Sequence, residues 1–364
     1  MAGVGRGGGP AAESVPRHPP CLPQLIEHLL TPTLAYTSPP TYQLPTLVQK
    51  GAANNVSVLL SIGGWDNSNL FTSIAQSSSA ISAFANSVAN FVTTYNLNGV
   101  DIDWEYPGEG GATGSYSSSD TSNYLRLLTA VRAAIPSNIL SAAVPPHAWV
   151  GVSDLSPYAA LLDYVSVMIY DNFSTRSSTT AHDASLQAFT TAAAAWQSAN
   201  FPTNKIVLGY PLYGKIAYTK NNALPLGSAI SHLDPTTFNN AYSDLIVKMS
   251  RENWTQYWDA NAEAAWYANP TNGGFCTSPA PAAANQRAGV VRSGGWGGMM
   301  MWELSQDPSN VLVAAVARGL QGQVDVMPAA SAPPGSAQSA AVGSRGSFVQ
   351  VVGAVAAVLV CLSA

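Results

Sequence analysis

Residues 98–107 read Asn-Gly-Val-Asp-Ile-Asp-Trp-Glu-Tyr-Pro, and this stretch constrains the fold more than any other part of the chain. Asp101, Asp103 and Glu105 alternate with apolar residues, which is the period-two pattern of a β-strand. Every second residue of a strand projects to the same side, so the three carboxyl groups should point the same way. Because the residues between them are hydrophobic, we expect the opposite face of this strand to be buried as well.

Three acidic side chains on one buried strand are costly to fold. Like charges at such short range cannot all ionise, so the pKa of at least one carboxyl should rise. A carboxylic acid that stays protonated near neutral pH can act as a general acid. The alternative is a solvated acidic edge strand, but surface strands seldom interleave acids with Val, Ile and Trp, and only 10% of this chain is charged. The pattern therefore indicates a catalytic strand.

Strand and helix patterns alternate through the middle of the chain, which is typical of βα units around a parallel sheet. Strands are predicted over residues 56–62, 98–104, 139–145, 164–170, 205–212 and 296–303, with a weaker one over 33–37. Helices are predicted over 43–53, 81–92, 120–135, 157–162, 185–198 and 311–320. The number of strands approaches the eight of a TIM barrel, in which chemistry takes place at the C-terminal ends of the strands.

The acidic strand resembles the signature of glycoside hydrolase family 18, the chitinases, which is Asp-x-x-Asp-x-Asp-x-Glu at the end of the fourth barrel strand. The chain matches at Asp101, Asp103 and Glu105, and has Asn98 at the outermost position, furthest from the reacting bond. The resemblance covers residues 33–320. It implies an α/β fold, a (β/α)8 TIM barrel, with a small α+β insertion at about 215–285 after strand 7.

Three further segments lie where the family pattern places them, each at the C-terminal end of a predicted strand. They are residues 61–64 (Ser-Ile-Gly-Gly), residues 168–171 (Met-Ile-Tyr-Asp) and Trp302. Two glycines at a strand end allow close approach of a neighbouring strand or a ligand. The resemblance implies that Trp65 stacks on a sugar beyond the cleavage point and that Trp302 forms the floor under a distorted sugar. The residues to which it assigns substrate binding are Gly64, Trp65, Met168, Asp171 and Trp302.

The resemblance also implies a mechanism. The strongest candidate acids lie on one strand, which leaves no evident protein nucleophile, and family 18 uses substrate assistance instead. The acetamido oxygen of N-acetylglucosamine would attack its own anomeric carbon while Glu105 protonates the leaving oxygen and later activates water. Asp103 would accept a hydrogen bond from the acetamide N–H, Asp101 would share a proton with Asp103, and Tyr170 would donate to the acetamide oxygen. Asp171 would hold a sugar hydroxyl or amide.

Three functions are compatible with these residues. The first is an endo-acting chitinase that cleaves β-1,4-linked N-acetylglucosamine with retention of configuration. The second is an endo-β-N-acetylglucosaminidase that acts on N-glycan cores with the same residues. The third is a lectin that binds chitin without cleaving it, although inert relatives typically lose the equivalent of Glu105. The aromatic residues of the 215–285 segment favour a long homopolymer as substrate.

Composition narrows the possible partners. The net charge is −5 with 15 Lys and Arg residues, which argues against nucleic acid. We expect a monomer without a cofactor or a metal ion. Three cysteines are too few for a disulfide framework. Sequons at Asn55, Asn172 and Asn253 would be glycosylated only in a secretory setting.

The two ends of the sequence predict different things. Residues 326–347 combine a Pro/Ala/Ser-rich linker with small residues at 335–337 and a spacer, and residues 348–364 are an uncharged apolar tail. This arrangement is typical of a GPI-attachment signal, which predicts a cell-surface protein that meets the membrane only through this anchor. A surface-anchored chitinase would act on the wall of its own organism, which suggests a fungus or similar walled eukaryote.

Residues 1–20 have no apolar segment of a signal peptide. Residues 1–30 are expected to be disordered, before a barrel domain over 31–325. No segment there resembles a first barrel strand, so we expect an incorrect or truncated N-terminus.

Overall fold

The computed structural model describes residues 44–112, 114–233 and 239–331. Its strands are β1 (Leu59–Gly63), β2 (Gly99–Asp103), β3 (Ile139–Val144), β4 (Tyr164–Val167), β5 (Ile206–Pro211), β6 (Tyr213–Thr219), β7 (Ile230–His232), β8 (Asn239–Ala241), β9 (Thr255–Asp259), β10 (Ala264–Asn269), β11 (Gly274–Thr277) and β12 (Gly298–Trp302). Its α-helices are α1 (Leu44–Ala53), α2 (Phe71–Gln76), α3 (Ser78–Tyr95), α4 (Asp120–Ala134), α5 (Ser156–Ala159), α6 (Leu186–Ser198), α7 (Tyr242–Arg251), α8 (Pro281–Gly294) and α9 (Val311–Leu320).

The predicted alternation of strands and helices is confirmed wherever the structure describes the chain. Each predicted strand from residue 56 onward and each predicted helix has its counterpart, and the helix over 311–320 has the predicted bounds. The strand predicted over 33–37, the N-terminal segment 1–30 and the tail 348–364 lie outside the described residues. Among the described residues, no helix combines the length and the apolar character that crossing a membrane would require.

The main sheet is parallel, with the strand order β1-β2-β3-β4-β5-β12. Its register aligns Ser61 on β1 with Asp101 on β2, and Asp101 in turn with Ser141 on β3. Two residues further along, Gly63 lies opposite Asp103. Since parallel strands end at a common edge, this register brings the acidic strand and its neighbours together at the C-terminal edge of the sheet.

Helices between these strands bury one side against the sheet. In α3 the buried residues recur at helical spacing, for example Ile81, Phe84 and Val88. The helix begins where the Ser77 hydroxyl accepts a hydrogen bond from the Ala80 N–H, and it ends at Asn96 in the left-handed conformation. The mixed α/β architecture therefore follows from local sequence patterns together with burial of the apolar helix faces.

A second sheet is formed by the chain between β5 and α8. It is antiparallel, with the order β7-β6-β11-β10-β9, and β8 also pairs with β6. Helix α7 lies between its strands in the sequence. Aromatic residues in this segment were expected to favour binding of a long polymer, but Trp258 and Trp266 are 4% and 2% exposed. Trp266 packs in the core of the second sheet, whereas Trp258 belongs to the main hydrophobic core. Neither side chain is therefore available to a polymer.

Candidate active site

Asp101 lies deepest of the three acids and is held by two hydroxyl groups. Its side chain is fully buried. Ser61 Oγ donates to one carboxylate oxygen at 3.0 Å and Ser141 Oγ donates to the other at 2.6 Å. Burial raises the pKa of Asp101, and the two hydroxyl donors partly oppose this rise. The row of Ser61, Asp101 and Ser141 is a direct consequence of strand register.

Asp103 is fixed by unusually close contact between the ends of β1 and β2. Gly64 N–H donates to the Asp103 carbonyl oxygen at 2.8 Å. Gly63 makes this approach possible, because a Cβ atom there would lie 2.0 Å from that oxygen and its φ is +120°. Gly64, at φ +93°, faces the carboxyl group itself, with its absent Cβ position 3.8 Å from Asp103 Oδ2. The absence of side chains at Gly63 and Gly64 thus leaves room for both the main chain and the carboxyl group of Asp103.

The Asp103 carboxyl is poised to accept a donor. Its Oδ1 atom is buried and has no hydrogen-bond partner among the described residues. Burial is the main cause that raises the pKa of Asp103, followed by the charges of Glu105 and Asp101. The predicted like-charge effect is therefore present, but loss of hydration is the larger cause. Asp101 influences Asp103 through its charge, and the proton sharing between them stays a prediction.

Glu105 lies at the outer end of the acidic row, two residues beyond the end of β2. Burial raises the pKa of this carboxyl from 4.5 to about 7. A hydrogen bond from the Tyr106 hydroxyl opposes the rise, whereas the charges of Asp171 and Asp66 add to it. A carboxyl with a pKa near 7 can both donate and accept a proton at neutral pH, which suits a general acid and base.

An apolar wall stands beside these acids. Met168 and Met300 are buried in one cluster, and Tyr106, Tyr170 and Trp302 pack against it partly exposed. The Tyr170 hydroxyl lies 3.9 Å from the Met300 sulfur atom. Tyr170 and Trp302 come from different strand ends, after β4 and at the end of β12. The structure therefore brings the predicted Met168, Tyr170 and Trp302 together on one surface.

Asp171 belongs to a buried charge cluster that sequence patterns did not predict. Lys215 on β6, 2% exposed, donates to the Asp171 carboxylate, to the Phe173 carbonyl oxygen at 2.7 Å and to Asp183 at 3.1 Å. Tyr213 donates to the same Asp171 oxygen at 2.6 Å. Because the Asp171 side chain is itself 60% exposed, the cluster holds one face of this carboxylate and leaves it accessible to a ligand.

Trp65 is at the tip of the turn after β1. It is 54% exposed, which is unusual for a side chain of its size. The turn is closed by the Asn67 N–H, which donates to the Gly64 carbonyl oxygen at 3.1 Å. An aromatic ring presented on a tight turn beside the acidic strand can serve as a platform for a sugar ring.

Within residues 44–112, 114–233 and 239–331, no group of three or more His, Cys, Asp or Glu side chains is arranged to hold a metal ion.

Sequence reasoning missed several residues that support the predicted ones. Tyr106 directly follows Glu105 in the sequence, so a contact between the two side chains could have been predicted. Ser141 could have been found by aligning the predicted strands with Asp101 in register. No pattern in the sequence could have predicted Lys215 and Asp183 as neighbours of Asp171, because they come from the second sheet and from a loop.

Comparison with known proteins decides the family. The sequence profile described as "Glycosyl hydrolases family 18" matches residues 30–307. The chain belongs to this family. Chitinase A1 of Niallia circulans is 30% identical over 327 residues, an alignment that covers 79% of this chain and 46% of the relative. Chitinase 1 of Aphanocladium album is 27% identical, with 74% and 66% covered. The chain thus spans about half to two thirds of the length of these family 18 relatives.

Solved structures agree on the fold. A crystal structure of a chitinase from Rhizomucor miehei matches with a TM-score of 0.73 and 25% identity, covering 79% of this chain and 90% of that one. A family 18 chitinase from Cycas revoluta, solved with allosamidin, matches with a TM-score of 0.70 and 22% identity, covering 78% and 87%. The fold is therefore the TIM-barrel-like α/β fold of family 18.

Proposed function

We propose that this protein is a chitinase that hydrolyses β-1,4 linkages between N-acetylglucosamine units from within the polymer. The observation that carries the proposal is the acidic row along β2 and just beyond its end, from the fully buried Asp101 to Glu105, whose pKa of about 7 suits proton transfer. The relatives support the substrate, since those that match this chain include proteins named chitinase and endochitinase. A plant relative has been solved with an N-acetylglucosamine trimer.

In the proposed reaction the substrate supplies its own nucleophile. The acetamido oxygen forms a bond to the anomeric carbon as the glycosidic bond breaks, and Glu105 gives its proton to the leaving oxygen. The unpartnered Oδ1 of Asp103 accepts the acetamide N–H and balances the positive charge of the oxazolinium ion. Glu105 then removes a proton from water, whose oxygen attacks the same carbon as the bond from that carbon to the acetamide oxygen breaks. Two inversions at one centre give retention of configuration.

The remaining predicted residues would bind and orient the sugar. Tyr170 donates to the acetamide oxygen, and Trp302 provides an apolar floor beside it. Asp171, held by Lys215 and Tyr213, accepts from a sugar hydroxyl or amide with its exposed side. Trp65 stacks on a sugar on the leaving-group side. This arrangement would place substrate between the apolar wall and the acidic row.

The proposal includes an assignment of the strands to a (β/α)8 barrel. In a complete (β/α)8 barrel, β1 to β5 would be the third to seventh strands and β12 the eighth. The antiparallel sheet between β5 and α8 would then be the insertion after strand 7, which in this family deepens the cleft. We further propose that the protein is a monomer.

Residues 335–364 support a proposal about location. Their small-residue site, spacer and uncharged apolar tail suit GPI attachment near residue 335 or 336, as in a fungal cell-surface chitinase. Such an enzyme would be a secreted glycoprotein that acts on the wall of its own cell. Release from membranes by a phosphatidylinositol-specific phospholipase is the expected result. Peptides from residues 348–364 in the mature protein would contradict it.

A side-by-side product assay tests the enzymatic proposal. The protein is incubated with N-acetylglucosamine hexamer and with a high-mannose glycopeptide, and products are followed by mass spectrometry. Internal cleavage of the hexamer alone is expected. Cleavage of the glycopeptide core would instead favour the endo-β-N-acetylglucosaminidase. Binding without cleavage of either substrate would make the protein a lectin, and the Glu105→Gln variant serves as the control for contaminating activity.

A further inference from the structure

Ser68 connects two parts of the site, the turn that presents Trp65 and the segment that carries Glu105. It belongs to the turn that presents Trp65, and it is buried, with 8% of its surface exposed. Its hydroxyl oxygen accepts the main-chain N–H of Glu105 at 2.9 Å. Ser68 and Glu105 are 37 positions apart in the sequence, so this contact exists only in the tertiary structure.

The hydroxyl proton of Ser68 is directed at two carbonyl groups. Ser68 Oγ lies 2.9 Å from the Gly64 carbonyl oxygen and 3.1 Å from that of Asp103. Gly64 is the start of the Trp65 turn, and Asp103 is the middle member of the acidic row. One hydroxyl group thus connects the Trp65 turn, the end of β2 and the main chain that carries Glu105.

The three partners do not depend on Ser68 equally. The Asp103 carbonyl oxygen also accepts from Gly64 N–H at 2.8 Å, and the Gly64 carbonyl oxygen also accepts from Asn67 N–H at 3.1 Å. Both carbonyls therefore keep a donor when the hydroxyl is removed. The Glu105 N–H is the partner that loses its acceptor, so the perturbation falls on Glu105 itself, two residues beyond the end of β2.

We propose that Ser68 is a positioning residue that holds the main chain of Glu105 in register with the Trp65 turn, so that the acid meets the glycosidic oxygen. The inference rests on the proposed function, because it assumes that Glu105 protonates the leaving group. A displacement of about 1 Å at a reacting group can lower a rate by about 10²-fold. A partly buried main-chain N–H that loses its acceptor provides a force for such a displacement, since it will move toward another acceptor or toward water.

The test compares two leaving groups. Protonation matters greatly for a sugar alcohol and little for nitrophenol, which leaves readily as an anion. The measurement is kcat/KM, which covers steps up to the first bond cleavage, on N-acetylglucosamine tetramer and on 4-nitrophenyl diacetylchitobioside. For Ser68→Ala we expect a loss of about 10–100-fold on the tetramer and of less than about threefold on the nitrophenyl substrate.

Two further variants complete the experiment. Ser73→Ala is the matched control, because the Ser73 hydroxyl also donates to a main-chain carbonyl, that of Leu70 at 2.8 Å, but does not contact Glu105 in the described structure. It should leave both substrates unchanged. Ser68→Cys keeps the size and a weak acceptor, and it should give a smaller loss of the same kind. If near-UV circular dichroism shows that Ser68→Ala does not fold, Ser68→Cys provides the comparison.

The outcomes separate this inference from the proposed function. Equal losses on both substrates, or no loss on the tetramer, in a folded Ser68 variant would overturn the positioning role while leaving the chitinase proposal intact. Wild-type protein that cleaves neither substrate would overturn the proposed function, and the role of Ser68 with it. A selective loss on the tetramer supports the role, because reduced folding alone would lower both values by the same factor.

Discussion

Glu105→Gln should make the protein more stable at alkaline pH while removing its activity. The unfolded chain releases the Glu105 proton near pH 4.5, whereas the folded protein retains it until about pH 7. The folded state therefore binds more protons in this interval, and its stability falls as the pH rises through it. At 1.36 kcal/mol per pKa unit, the difference amounts to about 3 kcal/mol at pH 8. Glutamine keeps the shape of the side chain without the charge, so it escapes this loss.

Urea unfolding followed by tryptophan fluorescence measures the effect. The variant should gain about 3 kcal/mol of unfolding free energy relative to wild type between pH 4.5 and pH 8. In the same preparation, kcat on chitin oligomers should fall by about 10²–10⁴-fold, with oligomer binding largely intact. A stability difference that does not change with pH would refute the buried, proton-retaining carboxyl. Near-wild-type turnover would refute the role of Glu105 as acid.

Glu252→Gln is a suitable control for the same measurement. Hydrogen bonds from Lys248 and Trp254 lower the pKa of the Glu252 carboxyl, which is 41% exposed. Its charge therefore stabilises the folded state slightly, and this contribution is lost as the pH falls through the lowered pKa. The variant should be slightly less stable than wild type at pH 8, by less than about 1 kcal/mol, because exposed ion pairs contribute little. The opposite signs for the two variants distinguish burial of one carboxyl from a general effect of removing acids.

Three further predictions concern other parts of the site. The wild-type kcat/KM on chitin oligomers should decline above about pH 7, where Glu105 loses the proton it must donate, and a profile that stays flat to pH 9 would contradict this assignment. Asp103→Asn and Tyr170→Phe should each lower kcat on N-acetylated oligomers by about 10²-fold, and should weaken inhibition by a thiazoline analogue of the cyclised sugar. Trapping of a covalent glycosyl–carboxylate adduct by mass spectrometry would argue against substrate assistance. Ser141→Ala removes the hydroxyl 2.6 Å from Asp101 and should lower the urea-derived free energy of unfolding by about 1–3 kcal/mol; unchanged stability would show that Ser61 alone suffices to hold this carboxyl.

Local patterns in the sequence were enough to predict the acidic strand and most elements around it. Alternation of acids with Val, Ile and Trp predicts that Asp101, Asp103 and Glu105 lie on one side of the extended segment formed by β2 and the residues after it, since a strand repeats every two residues. Helical spacing likewise predicted the buried face of α3. These patterns succeed because they depend on neighbours within a few residues. They also predicted that a carboxyl pKa must rise, although burial rather than like charge is its largest cause.

Contacts between distant segments were decided by the tertiary structure alone. Asp101 receives hydroxyl groups from residues forty positions before and after it, because the parallel register places β1 and β3 beside β2. Lys215 reaches Asp171 only because β6 leaves the main sheet directly after β5, and no periodicity within either segment encodes that meeting. The burial of Trp266 in the second sheet was hidden for the same reason. A sequence specifies which side of an element is apolar, whereas the partner that covers it depends on how strands far apart in the chain pair.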